Sequence, residues 1–167
     1  MTRRTSIVKA IAEKMQTQLN GITYPSNVYG NAYPTLKFWD EVNEFPCVYM
    51  SPGTEIRQYE LSAFAWGLMN VSIKVYTRGE DAQLQLEQLL EDIEKLLESN
   101  KNLVYDATKD LITTEILVVS ITTDEGLLKP YAVGEINIQV RYQVMYVSVA
   151  TELLTNRILT HQSKIHI

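Results

Sequence analysis

Residues able to do chemistry are sparse in this chain, and their spacing does not bring them together. The two histidines, His161 and His166, both lie near the C-terminus, where the hydrophobic periodicity is weak. Their spacing is poor for a metal pair on one helix face, and no nearby carboxylate or thiol set completes a site. The sequence therefore predicts no metal site and no histidine-dependent catalysis.

The remaining candidates for catalysis have simpler explanations. Cys47, the single cysteine, lies in an apolar run, where a buried and inert thiol is expected. The chain contains no G-x-S-x-G nucleophile elbow, no P-loop and no dinucleotide fingerprint. The acidic pairs Glu80–Asp81 and Asp124–Glu125 are explained by a helix N-terminus and by turn chemistry. We therefore expect no enzyme activity and no cofactor.

The composition limits the classes of partner. At 167 residues the chain has the length of one domain, and 46% apolar residues is typical of a globular protein. A net charge of −5 disfavours tight binding to nucleic acid, which requires clustered Lys and Arg. No apolar run is long enough to cross a membrane, and the N-terminus lacks a signal-peptide core. We expect a soluble protein without a membrane partner, made in a reducing compartment.

The hydrophobic pattern indicates the elements that position these residues. An amphipathic helix is predicted near the N-terminus, capped by Thr5 or Ser6 and ended by Gly21. Its apolar stripe is Ile7, Val8, Ile11, Met15 and Leu19. Its other side is basic, with Arg3, Arg4, Lys9 and Lys14. A helix docked on the domain is favoured over one that contacts a membrane or DNA.

Residues 22–44 are rich in aromatic residues and contain prolines, which is unusual for a solvated linker or a central strand. We predict an ordered excursion that packs either on its own domain or on a neighbouring molecule. Phe45–Gly53 follows as a short strand closed by a Pro-Gly turn. Glu55–Leu61 is its candidate hairpin partner.

A strand and a long helix are predicted in the middle of the chain. Apolar residues alternate from Met69 to Val75, and Gly79 ends this strand. The helix that follows extends to Ser99, and its regular stripe is typical of a core-packing face. The stripe is Ala82, Leu86, Leu89, Leu90, Ile93, Leu96 and Leu97. The opposite side carries Glu87, Glu91, Asp92, Glu94, Lys95 and Glu98. A leucine-zipper contact is the alternative, but the pattern covers too few heptads.

Two more strands are predicted in the C-terminal half. Leu111–Thr123 is apolar on both faces in its middle, which indicates a central strand or one covered from both sides. Glu135–Val144 alternates between apolar and polar residues, as expected for a long half-buried strand. Beyond it, Met145, Val147 and Val149 put apolar side chains on the formerly polar face. Another subunit is expected to cover them.

These elements predict an α+β domain over residues 1–150. A mixed, mostly antiparallel β-sheet carries the N-terminal helix and the long amphipathic helix packed on it. Residues 151–167 are predicted to form a weakly structured C-terminal tail.

From Phe45 onward the chain resembles the tail terminator (tail completion) proteins of long-tailed bacteriophages. The matching segments are FPCVYM, then NVSIKVYTRGEDA leading into LEQLLEDIEKLLE, and finally SITTDEGLLKPYAVGEINIQVRYQV. They follow one another in the order found in that family. The resemblance implies a structural virion protein, assembled in the host cytoplasm and located at the neck-proximal end of the tail.

The resemblance also implies a hexameric ring with several partners. The ring stops polymerisation of the tail tube protein and offers a surface to a neck or head-completion protein. DNA passes through the channel without specific binding. Six copies with a charge of −5 each carry about −30 in total, which is consistent with DNA that slides instead of adhering.

Two kinds of residue are expected at the subunit, tube and neck contacts. Charges at strand ends, in turns or on a polar sheet face could set the register of the ring. These are Arg57, Arg78, Glu80, Asp81, Asp124, Glu125, Lys129 and Arg141. Larger side chains are candidates for buried anchors between subunits. These are Tyr131, Tyr142, Met145 and Tyr146.

Two other functions remain as alternatives. Another neck, head-completion or minor tail protein would bind the portal or head adaptor instead of the tube end. A small dimeric ligand-binding regulatory module would need a polar pocket and a glycine-bearing ligand loop, and the sequence shows no such loop.

Overall fold

The computed structural model of the protein describes residues 1–60 and 64–145, with Met145 given by its backbone alone. The elements are α1 (Arg3–Gln18), β1 (Ala32–Tyr33), a 3-10 helix (Trp39–Glu41), β2 (Cys47–Glu60), β3 (Phe64–Arg78), α2 (Ala82–Ser99), β4 (Val104–Asp106), β5 (Leu111–Thr123) and β6 (Tyr131–Met145). The described strands form one sheet in the order β1-β2-β3-β6-β5-β4. β1 and β2 are parallel, and the other neighbours are antiparallel. The predicted α+β domain with a mixed, mostly antiparallel sheet is confirmed.

The pairing of β3 with β6 forms the centre of the sheet. It extends from Arg78 opposite Tyr131 to Phe64 opposite Met145, a length of roughly 48 Å at the usual rise per residue. We call the end with Arg78 and Tyr131 the loop end, and the end with Phe64 and Met145 the hairpin end. The alternation predicted for β6 is confirmed. The buried residues are Ile136, Ile138, Val140, Tyr142 and Val144.

α2 packs on β3, β6 and β5 with the stripe predicted from the sequence, and all seven stripe residues are buried. The prediction for Asp92 is wrong. It was assigned to the solvated side of the helix, but it is only 1% exposed. Its carboxylate accepts hydrogen bonds from the backbone N–H of Ser26 at 2.9 Å and from Gln88 Nε2 at 3.0 Å. A buried carboxylate requires such donors. This one ties the segment 22–44 to α2 within the same chain.

α1 begins earlier than predicted. Thr2 is its N-cap, and the side chain of Thr2 accepts a hydrogen bond from the backbone N–H of Thr5 at 3.2 Å. The predicted caps, Thr5 and Ser6, are therefore wrong. The apolar stripe is buried, which confirms a helix docked on the domain. The guanidinium of Arg4 donates to the carbonyl of Gly53 and so connects α1 to β2.

β2 corrects the prediction of a short strand followed by a Pro-Gly turn. Cys47–Glu60 is one strand that pairs with β3 along its length, so Glu55–Glu60 continues it instead of folding back on it. A bulge between Pro52 and Glu55 absorbs the Pro-Gly pair. Proline is tolerated here because β1 covers only Val48 and Tyr49, and an edge strand has one side without a ladder to disturb.

β5 also differs from the prediction of a central or doubly covered strand. Its outer neighbour, β4, is short and pairs only with Leu111 and Ile112. Leu117, Val119 and Ile121 are 43%, 63% and 40% exposed. The apolar pattern reports which side chains avoid water, but it does not report whether the chain itself covers them. β1 and β4 escape sequence analysis because two or three residues carry no periodicity.

The face of the sheet opposite the helices, which we call the open face, carries a polar row. Lys74 Nζ lies 2.5 Å from Glu135 Oε2 across the β3–β6 pairing, and the hydroxyl of Ser72 donates to the same carboxylate at 3.0 Å. The hydrogen bond from Lys74 lowers the pKa of Glu135 and outweighs the opposite effect of burial. The Lys74 and Glu135 side chains remain 34% and 29% exposed.

The predictions made beyond Met145 lie outside the described residues. They concern Tyr146, Val147, Val149, the tail 151–167 and both histidines. For Met145, the backbone alone is placed, opposite Phe64.

Gly67 on β3 allows the ring of Tyr142 to approach the backbone. A Cβ atom at Gly67 would lie 2.8 Å from ring atoms Cε1 and Cζ of the buried Tyr142. We expect Gly67→Ala to lower the free energy of unfolding by about 1–3 kcal/mol, because the ring has no space to move into. Urea denaturation measures the change. Asn70→Ala, at an exposed position of the same strand, is the control and should change it by less than about 0.5 kcal/mol. Equal losses in both variants would contradict the steric explanation.

Candidate assembly surfaces

The predicted contact residues fall into two groups at opposite ends of the sheet. Seven surround the loop end. They are Arg78, Glu80, Asp81, Asp124, Glu125, Lys129 and Tyr131. Three others, Arg57, Arg141 and Tyr142, lie toward the hairpin end, where the backbone of Met145 also lies. The structure therefore divides the predicted contact residues between two separate surfaces.

Asp124 holds the loop between β5 and β6 in a fixed shape. Its carboxylate accepts hydrogen bonds from the backbone N–H groups of Val133 at 3.0 Å and Leu128 at 3.1 Å, and from Gln83 Nε2 at 3.3 Å. Burial acts to raise the pKa of Asp124, but these hydrogen bonds outweigh it and the pKa lies below its ordinary value. Glu125 adopts a positive φ of 54°, which the tight turn requires. Asp124 is thus a support for the loop.

The same loop presents an apolar side chain that was missed in the sequence analysis. Leu127 is 85% exposed, and Glu125 and Lys129 beside it are also exposed. A leucine on a well-supported loop requires little further ordering on binding, so Leu127 is a candidate contact residue. The signal available in the sequence was a pair of leucines inside an otherwise polar turn.

Tyr131 packs against the aromatic segment 22–44 and so connects that segment to the loop end. Its ring centroid lies 5.4 Å from that of Trp39 and 5.6 Å from that of Phe45. The guanidinium carbon of Arg78 lies 5.3 Å from the centre of the same ring, within the range of a cation–π interaction. Tyr131 and Arg78 therefore support the 3-10 helix within the chain and border the exposed surface.

A second cluster beside the excursion contains the single cysteine. Cys47 is fully buried with Tyr49 and Tyr76, and burial raises the pKa of the Cys47 thiol to about 12. The hydroxyl of Tyr76 donates to the carbonyl of Lys37 at 2.5 Å. The predicted burial of Cys47 is confirmed, and a raised pKa disfavours the thiolate, which is the reactive form of a thiol.

Tyr142 has an internal role at the hairpin end. It is 1% exposed within its own chain, and its hydroxyl donates to a carboxylate oxygen of Glu55. Burial and this carboxylate both raise the pKa of Tyr142. Glu55 also pairs with Arg57 at 2.6 Å and with Arg4 at 3.8 Å. Tyr142 therefore has almost no surface left for a neighbouring subunit.

The exposed part of the hairpin end combines aromatic and apolar side chains with two arginines, Arg57 and Arg141. The guanidinium carbon of Arg141 lies 4.3 Å from the centre of the Trp66 ring. Its Nε is buried and has no hydrogen-bond partner among the described residues. Ile56 and Tyr59 on β2 are 58% and 69% exposed. Neither was singled out in the sequence, because their segment was read as a hairpin partner.

Cavities and ligand sets are limited in the described part of the chain. A cleft of about 540 Å³ lies between the loop around Ser26 and α2, and the exposed Tyr29 and Leu84 line it. Among residues 1–60 and 64–145, no group of three or more His, Cys, Asp or Glu could hold a metal ion. No helix of this part is long and apolar enough to cross a membrane.

A family model, a related protein and a solved structure were found to be similar to this chain. The model of one family, described as bacteriophage tail tube terminator protein, matches residues 1–150. The tail tube terminator protein p142 of Escherichia phage T5 is 37% identical over 153 residues, which cover 86% of this chain and 95% of p142. A chain in the structure of a native gene transfer agent virion has a TM-score of 0.58 at 11% identity, covering 82% of this chain and 94% of that one. The last likeness is one of fold alone.

Asp124→Asn tests the support of the loop. Loss of the charged acceptor should lower the free energy of unfolding at neutral pH by about 1–3 kcal/mol. Because the folded pKa of Asp124 lies below the ordinary value of 3.8, its contribution is complete above that value and is lost as the pH falls through the folded pKa. The gap between wild type and variant, measured by urea denaturation, should therefore shrink below pH 3.8. Glu125→Gln is the control. A gap that did not change with pH would contradict this role.

Proposed function

Because the chain belongs to the bacteriophage tail tube terminator family, we propose that six copies of it form a ring on the head-proximal end of the tail tube. The ring stops tube polymerisation and provides the surface for joining the head. The family is one of structural virion proteins and not of enzymes, as expected from the sequence. The single observation that carries the proposal is the 37% identity to T5 p142 over 86% of this chain.

The two ends of the sheet support the proposal of two different axial partners. They lie roughly 48 Å apart along β3 and β6. The loop end carries several charges and the exposed Leu127, whereas the hairpin end exposes Ile56 and Tyr59 together with Arg57. We assign the loop end to the tube and the hairpin end to a neck or head-completion protein. In this arrangement the charges set the orientation, and the larger side chains provide buried contact area.

DNA passage is the last part of the proposal. Six copies at −5 each carry about −30, which would limit adhesion of DNA to the channel wall. Alanine substitution of the acidic residues that face the channel should slow DNA ejection measurably. Unchanged ejection would contradict an electrostatic role for the channel.

Tails assembled without this protein test the function as a whole. Electron micrographs should show tubes of uncontrolled length or tails that fail to join heads, because nothing caps the growing end. Native mass spectrometry of the protein, alone and on purified tubes, should show six subunits. Tails of normal length that join heads normally would contradict the proposal. Binding to portal or head adaptor instead of tubes would favour the alternative of a neck protein.

Charge reversal at the loop end tests the assignment of the tube surface. The double variant Glu80→Lys and Asp81→Lys should weaken tube binding by roughly tenfold or more while leaving the ring intact, because opposed charges replace complementary ones. Co-sedimentation with purified tubes measures binding. Glu13→Lys, an exposed reversal on α1, is the control. Unimpaired tube binding by the double variant would move the tube contact away from the loop end.

A further inference from the structure

The outer edge of β5 is only partly covered by its own chain. Hydrogen bonds within the chain occupy this edge only as far as Thr114. The backbone N–H of Thr113 donates to the carbonyl of Leu103 at 2.9 Å. The Asn102 side chain donates to the carbonyls of Thr113 and Thr114, each at 3.2 Å. From Glu115 onward, no described strand pairs with this edge. Up to the end of β5 it presents roughly 30 Å of backbone donors and acceptors.

The residues of this edge do little to prevent it from pairing with another strand. Edge strands of monomeric proteins are usually blunted by lysine, proline or inward charges. Between Glu115 and Thr123 the single charge is Glu115, and there is no lysine or proline. Two bulges interrupt the pairing with β6, yet Leu117, Val119 and Ile121 remain exposed beside the free backbone. A free apolar edge of this length is suited to pairing with another strand.

We propose that the β5 edge docks a second copy of this chain, through the outer edge of the β2 strand of that copy. Beyond Tyr49, no described strand covers this side of β2, which exposes Ile56 and Tyr59. Pro52 and the bulge after it interrupt this edge, so a ladder with β5 would be broken at that point. The two edges lie on opposite sides of the sheet, so each copy offers one of each. Such head-to-tail contacts can repeat around a ring. The inference rests on the proposed ring and names the surfaces that close it.

The direction of the strands permits this pairing. Three antiparallel pairings separate β2 from β5, so the two strands run in opposite directions within one sheet. In the proposed ring the strands run along the axis, with one sheet end toward each axial partner, and rotation about that axis preserves their direction. β2 of the next copy is then antiparallel to β5, which is the more stable pairing. Ser51, Ser72, Asn137 and Ser120 form one row across the sheet. Without a shift in register, Ser120 of one copy lies level with Ser51 of the next.

Val119→Lys is the first test, because Val119 is 63% exposed and its replacement leaves the core intact. Native mass spectrometry at fixed concentration, with and without tubes, should show roughly a tenfold or greater loss of rings, since the lysine charge would be desolvated at the contact. Ile22→Lys, at a position 92% exposed in the loop after α1, is the matched control and should assemble normally. Thermal melts should show that both variants are folded. Equal assembly of both variants would overturn the contact and leave the capping function standing.

Cysteine cross-linking is the second test and identifies the partner strand. Cys47 is fully buried, so introduced cysteines are the reactive ones. Ser120→Cys is mixed in turn with Ser51→Cys, Thr54→Cys and Ile56→Cys, which sample the register of β2. Disulfide-linked dimers should form in at least one mixture but not from Ser120→Cys alone. Dimers from Ser120→Cys alone, or from no mixture, would overturn the proposal. Wild-type rings that did not cap tubes would contradict the function instead of the contact.

Discussion

The pairing of β3 with β6 is the constraint on which the rest of the structure depends. Each strand is buried on the helix side and half-solvated on the other, so a shift by one residue would expose the whole apolar set. Two glycines make the close packing possible. Gly67 admits the ring of Tyr142, and Gly134 admits Leu86 and Leu90 of α2, whose methyl carbons would lie 3.0–3.3 Å from an added Cβ.

The length of this pairing also explains why the surfaces of the molecule differ. The central strands are long, and their two ends are finished by different local structures. At one end, Asp124 and Tyr131 fix loops and the aromatic excursion. At the other end, Glu55 gathers Tyr142, Arg57 and Arg4 into one network. The two candidate contact surfaces therefore follow from how the ends of one sheet are held by local structure.

The sequence was informative wherever a periodic pattern reported burial within the chain. It predicted the stripe of α2, the alternation of β6 and the buried thiol of Cys47, and each is observed. It failed where the outcome depended on neighbours distant in sequence. Asp92 is buried because Ser26 supplies a donor from another segment, and Leu117 of β5 is exposed because it lies opposite Gln139 on the open face, which the helices do not cover. No local pattern contains that information.

The candidate surfaces show the same division. Charges at strand ends could be listed from the sequence, and the structure groups most of them at the loop end. Their different roles could not be predicted from the sequence. The Asp124 carboxylate accepts hydrogen bonds from backbone N–H groups, whereas the neighbouring Glu125 is exposed. The polar row of the open face has a further consequence. An apolar surface packed over Lys74 and Glu135 would desolvate a charged pair. The attraction between the two charges seldom offsets that desolvation cost. The part of the open face around Lys74 and Glu135 should therefore remain in contact with water in the virion.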